Sequence, residues 1–428
     1  MNIEFLQKYA MTGIWETEDL RSYKTDLLLM AQQEQKKFKP LKKEMYSGNK
    51  IQIIDFFSGA GGTSLGFAAV NDIIPIFDFL GGCDINKFSA ESYAHNFDTP
   101  VINRDIIELA EDKEELIKVL DTIGYDKMKP TILIGCAPCQ GFTSHRKKHW
   151  NEEDDHRNNL VNVFADIVSF IQPIAFVMEN VPEFLSNRYW KYFYAAKNRY
   201  EQEGYIVKEN IYNAASFGVP QERFRSVVIG MKKEFILPEG YLEPKNYKTV
   251  REAIGALKPV AAGVVDPSDP MHKSAAHKKS TIAVLKQVPH DGGNRPAGVG
   301  PACLDRTKGF SDTYGRLYWD RPSITITHYA RNPASGRYTH PEAALLQSFP
   351  IGFEFLGKSD DVYRQIGEAV PPLFSAGIAI DMLIEILSVE PTKQQLKEGP
   401  QSIEKPVSSS YSSVIAGIKT KRKEELYG

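Results

Sequence analysis

From residue 51 onward, short apolar runs alternate with amphipathic stretches. Four runs, "IQIIDFF", "IIPIFDFLGGCD", "TILIGC" and "IAFVMENV", are rich in β-branched and aromatic residues and break at Gly, Asp or Asn, as buried strands do. Between the last two, "NLVNVFADIVSFIQ" has the spacing of an amphipathic helix, with apolar positions at Leu160, Val163, Phe164, Ile167, Val168 and Ile171. Because strands that alternate with helices form parallel sheets, the predicted fold class is α/β, with a doubly wound, mostly parallel sheet. Further on, "YIVKENIYNAA" and "RFRSVVIGM" predict an antiparallel strand pair.

Changes in composition divide the chain into five parts. Residues 1–50 are polar, Lys-rich and helical in pattern, and we interpret them as an appendage. Residues 51–234 carry the strand–helix alternation, and residues 235–335, rich in Pro, Gly, His and Lys, predict a smaller, loop-rich domain. Residues 336–390 return to helix and to the main domain. The polar tail, 391–428, is low in aromatic residues, so we expect it to be disordered or loosely attached.

The bulk composition argues against a membrane-spanning or disulfide-stabilised protein. No uncharged run approaches the ~20 residues needed to cross a bilayer, and the acidic, mixed N-terminus is not a signal peptide. The 428 residues include four cysteines, too few for a disulfide framework: Cys83, Cys136, Cys139 and Cys303. We therefore expect a cytoplasmic protein with no membrane partner.

A glycine-rich loop, "DFFSGAGGTSLGF", joins the first predicted strand to a helix. Small residues let a ligand approach the backbone, and a helix N-terminus offers free N–H groups. The loop lacks the third glycine of a dinucleotide motif, since Ser64 occupies that position. Asp84, after the second strand, suits ribose hydroxyls, and Asp105 suits an adenine amino group. The pattern favours a nucleoside-bearing cofactor without a pyrophosphate, such as S-adenosylmethionine; a tight turn with no ligand is the alternative.

The segment "TILIGCAPCQGFTSHRKKHW" contains a C-x-x-C pair, which is typical of redox sites but also of a single nucleophilic cysteine. In a redox site a helix starts directly after the first cysteine, whereas here a polar loop of some 18 residues follows Cys139. The next strand ends at Glu179. A right-handed crossover brings both strand ends to one edge of the sheet, so a thiolate nucleophile beside a carboxyl group is the favoured interpretation.

The order of the motifs resembles the DNA cytosine-5 methyltransferases of the prokaryotic restriction-modification type. "DFFSGAGG" resembles their cofactor loop, "APCQGFTS" the nucleophile motif, "MENV" the acid motif and "QERFR" the substrate-pocket motif. "RPSITIT" with "HPEAALLQSFP" resembles the support of target recognition, and "YRQIGEAVPP" the last block of the cofactor pocket. The resemblance covers residues 51–388 and implies the S-adenosylmethionine-dependent methyltransferase fold.

The resemblance also implies residue roles. Cys139 would attack C6 of a flipped-out cytosine, and Glu179 would bond N3 and the exocyclic amine while C5 takes the methyl group. Arg225 and Arg223 would contact the base and order the loop around Cys139, and Asn180 and Pro138 would shape the site. The implied cofactor-binding residues are Phe57, Ser58, Gly59, Gly61, Gly62, Asp84, Ile85, Asp105, Ile106, Pro138, Glu368 and Ala369. No metal ion is implied.

The expected partner is double-stranded DNA. Residues 231–340 hold 17 Lys and Arg against 10 Asp and Glu, and this basic stretch covers the region that the family uses for target recognition. Arg295, Arg306 and Arg316 are candidate base readers, and "SHRKKHW" is a candidate phosphate contact. We expect a monomer, because flipping one base requires only one copy.

Two residues depart from the family pattern: Glu368 replaces the usual Asn, and Ile85 replaces a frequent aromatic residue. Both bear on cofactor affinity more than on reaction type. The sequence leaves open the same reaction on transfer RNA, a non-catalytic DNA-binding role, the recognised DNA sequence and pairing with a restriction endonuclease.

Overall fold

The computed structural model describes residues 19–35, 41–42, 51–138, 159–274, 276–289, 291–293, 296, 298–300, 316–327, 331–332, 336–337 and 339–407. Several predicted functional positions lie outside these residues: Cys139, the basic loop 144–150, Arg295 and Arg306.

The centre of the fold is a six-stranded sheet in the order β2-β1-β3-β4-β6-β5. The first four strands are parallel, and β6 runs antiparallel to both β4 and β5. These pairings confirm the mostly parallel sheet and the antiparallel pair that the sequence predicts. The strands are β1 (Ile51–Phe56), β2 (Phe77–Cys83), β3 (Thr131–Gly135), β4 (Ala175–Asn180), β5 (Ile206–Asn213) and β6 (Phe224–Met231), followed by the short β7 (Val265–Asp266), β8 (Asp269–Lys273), β9 (Arg331–Asn332) and β10 (Gly336–Arg337).

Helices cover both faces of this sheet. The α-helices are α1 (Lys24–Gln35), α2 (Gly62–Asn71), α3 (Lys87–Phe97), α4 (Ile106–Glu111), α5 (Lys113–Ile123), α6 (Leu160–Ile171), α7 (Trp190–Gln202), α8 (Val250–Ile254), α9 (Lys279–Leu285), α10 (His340–Leu346), α11 (Ser359–Glu368), α12 (Pro372–Leu387) and α13 (Lys393–Glu398). Short 3-10 turns lie at Arg21–Tyr23, Pro182–Leu185, Ala214–Phe217 and Pro244–Asn246.

Alternate residues of β1 separate two apolar cores. Ile51 and Ile53 pack in a cluster with α1, α2, α3 and α12, whereas Ile54 and Phe56 pack with α4, α5, α6 and α7. This division follows from the period of two along a strand, and it makes both faces of the sheet dry. All six apolar positions of the predicted amphipathic helix are buried on α6, which confirms that prediction.

Among the described residues, one helical stretch, Ser359–Leu387, is long enough and apolar enough to cross a membrane. In the folded protein, however, 94% of its most apolar window is buried. The stretch includes α12, which packs along α2 and α1 as a core helix.

The described part of the N-terminal segment contains α1, and this part packs against the main domain rather than standing apart from it. Leu27 and Leu28 are buried in the main core, where α1 packs on α12. Just before α1, Arg21 donates two hydrogen bonds to the carboxylate of Glu385, at 2.7 and 2.8 Å. The apolar positions of this segment have helical spacing, which indicates a buried face despite the polar composition: Leu20, Leu27, Leu28 and Ala31.

The first part of the C-terminal tail is also ordered, contrary to expectation. It forms α13 and then runs beside the edge strand β5, where the Ile403 N–H donates to the carbonyl of Glu209 at 3.1 Å. The Val407 N–H donates to the carbonyl of Leu185 at 2.9 Å. An edge strand presents unpaired backbone groups, and these bonds explain why a polar segment is held there.

A third apolar cluster lies outside the sheet. It combines residues that are far apart in sequence, namely Val250, Ile326, Ala343, Leu346, Val362, Tyr363 and Ile366. The cluster therefore ties the region after β6 to α10 and α11. The domain boundaries drawn from the sequence remain a proposal.

Candidate active site

The candidate site lies where β3 and β4 end. These strands are parallel neighbours, with Gly135 paired to Met178, so Cys136 and Glu179 leave the sheet at the same edge. The antiparallel β6 begins at this edge, because Ser226 pairs with Asn180. Three distant segments of sequence therefore contribute side chains to one place.

Glu179 is held from two sides. The Nε atom of Arg225 lies 2.8 Å from Glu179 Oε1, and the Cys136 thiol contacts Oε2 at 3.1 Å. Glu179 is only 8% exposed, so the ion pair with Arg225 compensates for burial of its charge. The ion-pair geometry gives Oε1 no aligned hydrogen bond, and no other described residue donates to this atom. Because a carboxylate oxygen has two lone pairs, Oε1 beside Arg225 can still accept a hydrogen bond from a ligand.

Asn180 fixes the backbone between the two strand ends. Its Nδ2 donates to the carbonyl of Ala137 at 3.1 Å, and its Oδ1 accepts from the N–H of Val181 at 2.8 Å. The side chain thus joins the end of β4 to the segment that continues through Pro138 toward Cys139. The roles expected of Asn180 and Pro138 in shaping the site remain predictions.

Arg223 is held by backbone carbonyls of two other segments. Its side chain is 2% exposed and donates to three carbonyls, those of Ile326, Gly367 and Ala369, at 2.9 to 3.1 Å. These contacts brace three segments against one another. Arg225, in contrast, contacts the acid directly.

Gln221 is a site-forming residue that the sequence reasoning did not assign. It is fully buried; its Nε2 donates to Gln347 Oε1 at 2.8 Å, and its Oε1 accepts from the Ile326 N–H at 2.9 Å. Ser323 also pairs with the backbone at Gln221 and Glu222. The "QERFR" and "RPSITIT" motifs are therefore physically joined. In the sequence, the only indication that Gln221 helps to form the site is its position within the "QERFR" motif.

The glycine loop has a backbone that few side chains allow. Phe57, Gly59 and Gly61 have φ angles of 58°, 54° and 98°. A Cβ atom on Gly61 would lie 2.5 Å from the Phe97 ring, and one on Gly62 would lie 2.3 Å from the carbonyl of Val370. The loop is therefore shaped by close packing as well as by conformation.

Asp84 faces this loop from the end of β2. Its carboxylate accepts from the Gly59 N–H at 2.9 Å and from the Asn86 N–H at 2.7 Å. Burial raises the pKa of this carboxyl, while the two backbone bonds oppose the shift. Ile85, the next residue, is 69% exposed and presents apolar surface at the same edge. The backbone of Ser58 joins the loop to β2 through the carbonyl of Cys83.

The remaining predicted cofactor residues occupy different settings. Asp105 caps α4, because its Oδ1 accepts from the Ile107 N–H at 2.9 Å, and Ile106 is buried behind it. Glu368 is exposed at the last residue of α11, whereas the Cβ of Ala369 would lie 3.2 Å from a Cβ on Gly62. The last sequence block thus meets the glycine loop through Ala369.

Asp55 is a second residue that the sequence reasoning left unassigned. It lies at the end of β1, fully enclosed, where Ser64 Oγ donates to its Oδ2 at 2.7 Å. Its Oδ1 has no hydrogen-bond partner among the described residues. Burial raises the pKa of Asp55 to about 7, and no cation offsets that effect.

Arg316 and the residue types that bind metal ions bear on two other predictions. Arg316, a candidate base reader, donates from Nη2 to the carbonyl of Leu285 at 3.0 Å, so it has an internal contact. Within the described part of the chain, no group of three or more His, Cys, Asp or Glu side chains is placed to hold a metal ion.

Comparisons with known proteins agree with this arrangement. A family model described as C-5 cytosine-specific DNA methylase matches residues 51–383. The Type II methyltransferase M1.HphI of Haemophilus parahaemolyticus is 35% identical over 342 residues, covering 77% of this chain and 86% of that protein. The Type II methylase M.HgiDII of Herpetosiphon aurantiacus is 32% identical over 349 residues, covering 76% and 93%.

A solved structure also shares the fold. It is described as a DNA modification methyltransferase encoded within a prophage of E. coli, with a TM-score of 0.58 and 22% identity over 78% of this chain and 99% of that one. The family match and the identities show that the chain belongs to the C-5 cytosine-specific DNA methylases. Its activity is that of a DNA cytosine-5 methyltransferase.

Proposed function

We propose that the protein methylates C5 of a flipped-out cytosine within a short recognised sequence of double-stranded DNA, as a monomer of the restriction-modification type. The methyl donor is S-adenosylmethionine, and the reaction passes through a covalent bond between Cys139 and C6. The observation that carries the proposal is the buried carboxylate of Glu179, ion-paired with Arg225 at the strand edge from which the Cys139 segment leaves.

In this proposal the thiolate of Cys139 adds to C6 and forms a carbon–sulfur bond. The electron pair of the C5–C6 double bond moves into the ring as N3 takes up a proton from solvent, and the N3 hydrogen and the exocyclic amine then donate to the Glu179 carboxylate. After methylation, loss of the C5 proton returns an electron pair to the ring, and the carbon–sulfur bond breaks. The thiolate is thereby regenerated.

Arg225 has two tasks in this scheme. Its positive charge 2.8 Å from Glu179 keeps the carboxylate compatible with a buried site, and its guanidinium retains further donors for an oxygen of the base. Arg223 acts indirectly, because its hydrogen bonds to three carbonyls hold together the segments that surround the site.

The cofactor side of the edge fits S-adenosylmethionine. The cradle at Gly61 excludes a side chain, Asp84 offers carboxylate oxygens beside Gly59, and Ile85 presents an apolar face suited to an adenine ring. When bound, the cofactor supplies the methyl group that C5 receives. Asp105, with one oxygen committed to its helix cap, contributes the second.

DNA binding is proposed from the reaction and from charge. A base inside the duplex cannot be attacked at C6, so the target must leave the stack. The basic stretch 231–340 supplies phosphate contacts, and its remaining side chains read base edges.

The test is expression in a host that lacks cytosine-5 methylation, followed by mapping of methylated cytosines in genomic DNA. We expect methylation confined to one short motif, absent for Cys139→Ala and largely retained for Cys136→Ser. Unmethylated DNA together with methylated transfer RNA would instead assign the RNA reaction. Equal loss from substitution of either cysteine would favour a thiol-redox protein and overturn the assignment.

A further inference from the structure

The proposed reaction gives Cys136 no role, yet the structure places its thiol on the catalytic acid. The Cys136 Sγ atom lies 3.1 Å from Glu179 Oε2. Its backbone N–H donates to the carbonyl of Phe56 at 3.3 Å, so the residue is anchored to the neighbouring strand β1. Asn180 holds the following residue, Ala137, through its carbonyl. The backbone that carries the thiol is therefore held by two independent hydrogen bonds, and the thiol itself contacts Glu179.

The direction of the hydrogen bond follows from the chemistry of the pair. A carboxylate that is ion-paired with a guanidinium is an acceptor only, so the thiol must carry the proton and donate it. A thiolate at this distance would repel the carboxylate. Cys136 thus acts as a hydrogen-bond donor, whereas a nucleophilic or redox-active cysteine reacts as the thiolate.

The contacts of Arg225 and Cys136 with Glu179 together restrict the orientation of the carboxylate more than either contact does alone. Glutamate has three rotatable side-chain bonds, and a single ion pair at Oε1 still lets the carboxylate pivot about that oxygen through combined changes of these torsions. The thiol on Oε2 stops that rotation, and it comes from β3, whereas Arg225 comes from β6 on the other side of β4. The plane of the carboxylate is consequently set by three adjacent strands.

We propose that Cys136 is a positioning residue, whose thiol proton fixes the carboxylate plane of Glu179 for the target cytosine. This inference rests on the proposed function of Glu179 as the acid that binds the base. A hydroxyl can replace the thiol as a donor, but a methyl group cannot. Serine should therefore preserve the function and alanine should not, although both substitutions make the side chain smaller.

The test compares Cys136→Ala and Cys136→Ser with the wild type in steady-state methyl transfer to a DNA duplex carrying the recognised motif. Because catalysis depends steeply on orientation, we expect Cys136→Ala to lower kcat about 3- to 10-fold with unchanged KM for DNA and unchanged cofactor affinity. Cys136→Ser should stay within about 2-fold of the wild type in kcat, since it retains the donor.

The outcomes separate this inference from the function on which it rests. An alanine variant as fast as the wild type, or serine and alanine variants slowed equally, would overturn the positioning role while leaving the methyltransferase intact. A wild type that methylates no DNA would instead refute the proposed function.

A spectroscopic measurement tests the contact without any turnover. The infrared S–H stretch falls in a region free of other protein bands, and a difference spectrum between the wild type and Cys136→Ser isolates this thiol. We expect a band shifted to lower frequency by the carboxylate, which moves back toward the free-thiol position in Glu179→Gln. An S–H stretching frequency that is the same in the wild type and in Glu179→Gln would contradict the hydrogen bond.

Discussion

The two halves of the candidate site are built by different means. On the catalytic half, the geometry depends on side-chain chemistry: Arg225 pairs with Glu179, and Cys136 donates to it. On the cofactor half it depends on backbone shape, since the loop from Phe57 to Gly61 has left-handed residues and a helix start with no room for a Cβ atom. The difference teaches that a substitution in the first half should impair chemistry, and one in the second should impair cofactor binding.

The largest expected effect is a loss of kcat on substitution of Glu179, in the catalytic half of the site. Glu179→Gln removes the charge that Arg225 compensates and replaces one of the two carboxylate oxygens that accept from the base with an amide donor, so we expect kcat to fall about 10²- to 10⁴-fold. Cofactor affinity, measured by titration calorimetry, should change little. Glu201→Gln, on an exposed position of α7, is the matched control and should leave kcat unaltered. A comparable loss of cofactor binding in Glu179→Gln would erase the distinction between the halves.

The next effect tests the residue that connects the halves. Arg223→Met removes a donor from the carbonyls of Ile326, Gly367 and Ala369, of which Ala369 keeps only the longer 3.4 Å contact from Gln347. We expect the free energy of unfolding to drop by about 3 kcal/mol, with methylation and cofactor affinity falling together. Chemical denaturation measures the first quantity. Arg364→Met, whose exposed side chain reaches Asp361 only at 3.9 Å, should cost far less.

A glycine substitution probes the cofactor half. Gly61→Ala places a Cβ 2.5 Å from the Phe97 ring at a φ of 98°, so the loop must shift. We expect cofactor affinity to weaken about tenfold or more, and stability to fall by about 2 kcal/mol. Gly124→Ala is the matched control, because its φ of 77° carries the same kind of strain but its Cβ would meet nothing within 4 Å. If both variants bind cofactor equally well, the shape argument for the loop is wrong.

The smallest effect concerns pH. Burial raises the pKa of Asp55 from its ordinary 3.8 to about 7, so between these values the folded protein holds a proton that the unfolded chain releases. The stability from this group is present at low pH and is lost as pH rises toward 7, by about 1 kcal/mol between pH 5.5 and 6.5. Asp55→Asn keeps an acceptor for Ser64 and should abolish that part of the slope. Thermal melts across this range, compared with the wild type, measure it; an unchanged slope would contradict the assignment.

The sequence predicts local structure and shared edges well. Six apolar positions define α6, and the ends of β3 and β4 meet as a crossover requires. The partners of Arg223 and Gln221 could not be read from the sequence, because they lie more than 100 residues away along the chain. Arg223 and Arg225 are alike in the sequence, and only packing distinguishes a brace from a partner of Glu179. The roles assigned to Cys139 and to the cofactor residues stay predictions.

The packing of α1 on α12 has a consequence for how the protein is made. Arg21 and Glu385 are 364 residues apart, so the first described helix meets its partner only when nearly the whole catalytic region has left the ribosome. Until then the apolar face of α1 and one side of the nascent sheet have no cover, and contacts of such long sequence separation form slowly. Folding should therefore depend most on chaperones before α12 has been synthesised and can pack on α1. A chain that terminates before α12 should not fold into an active enzyme.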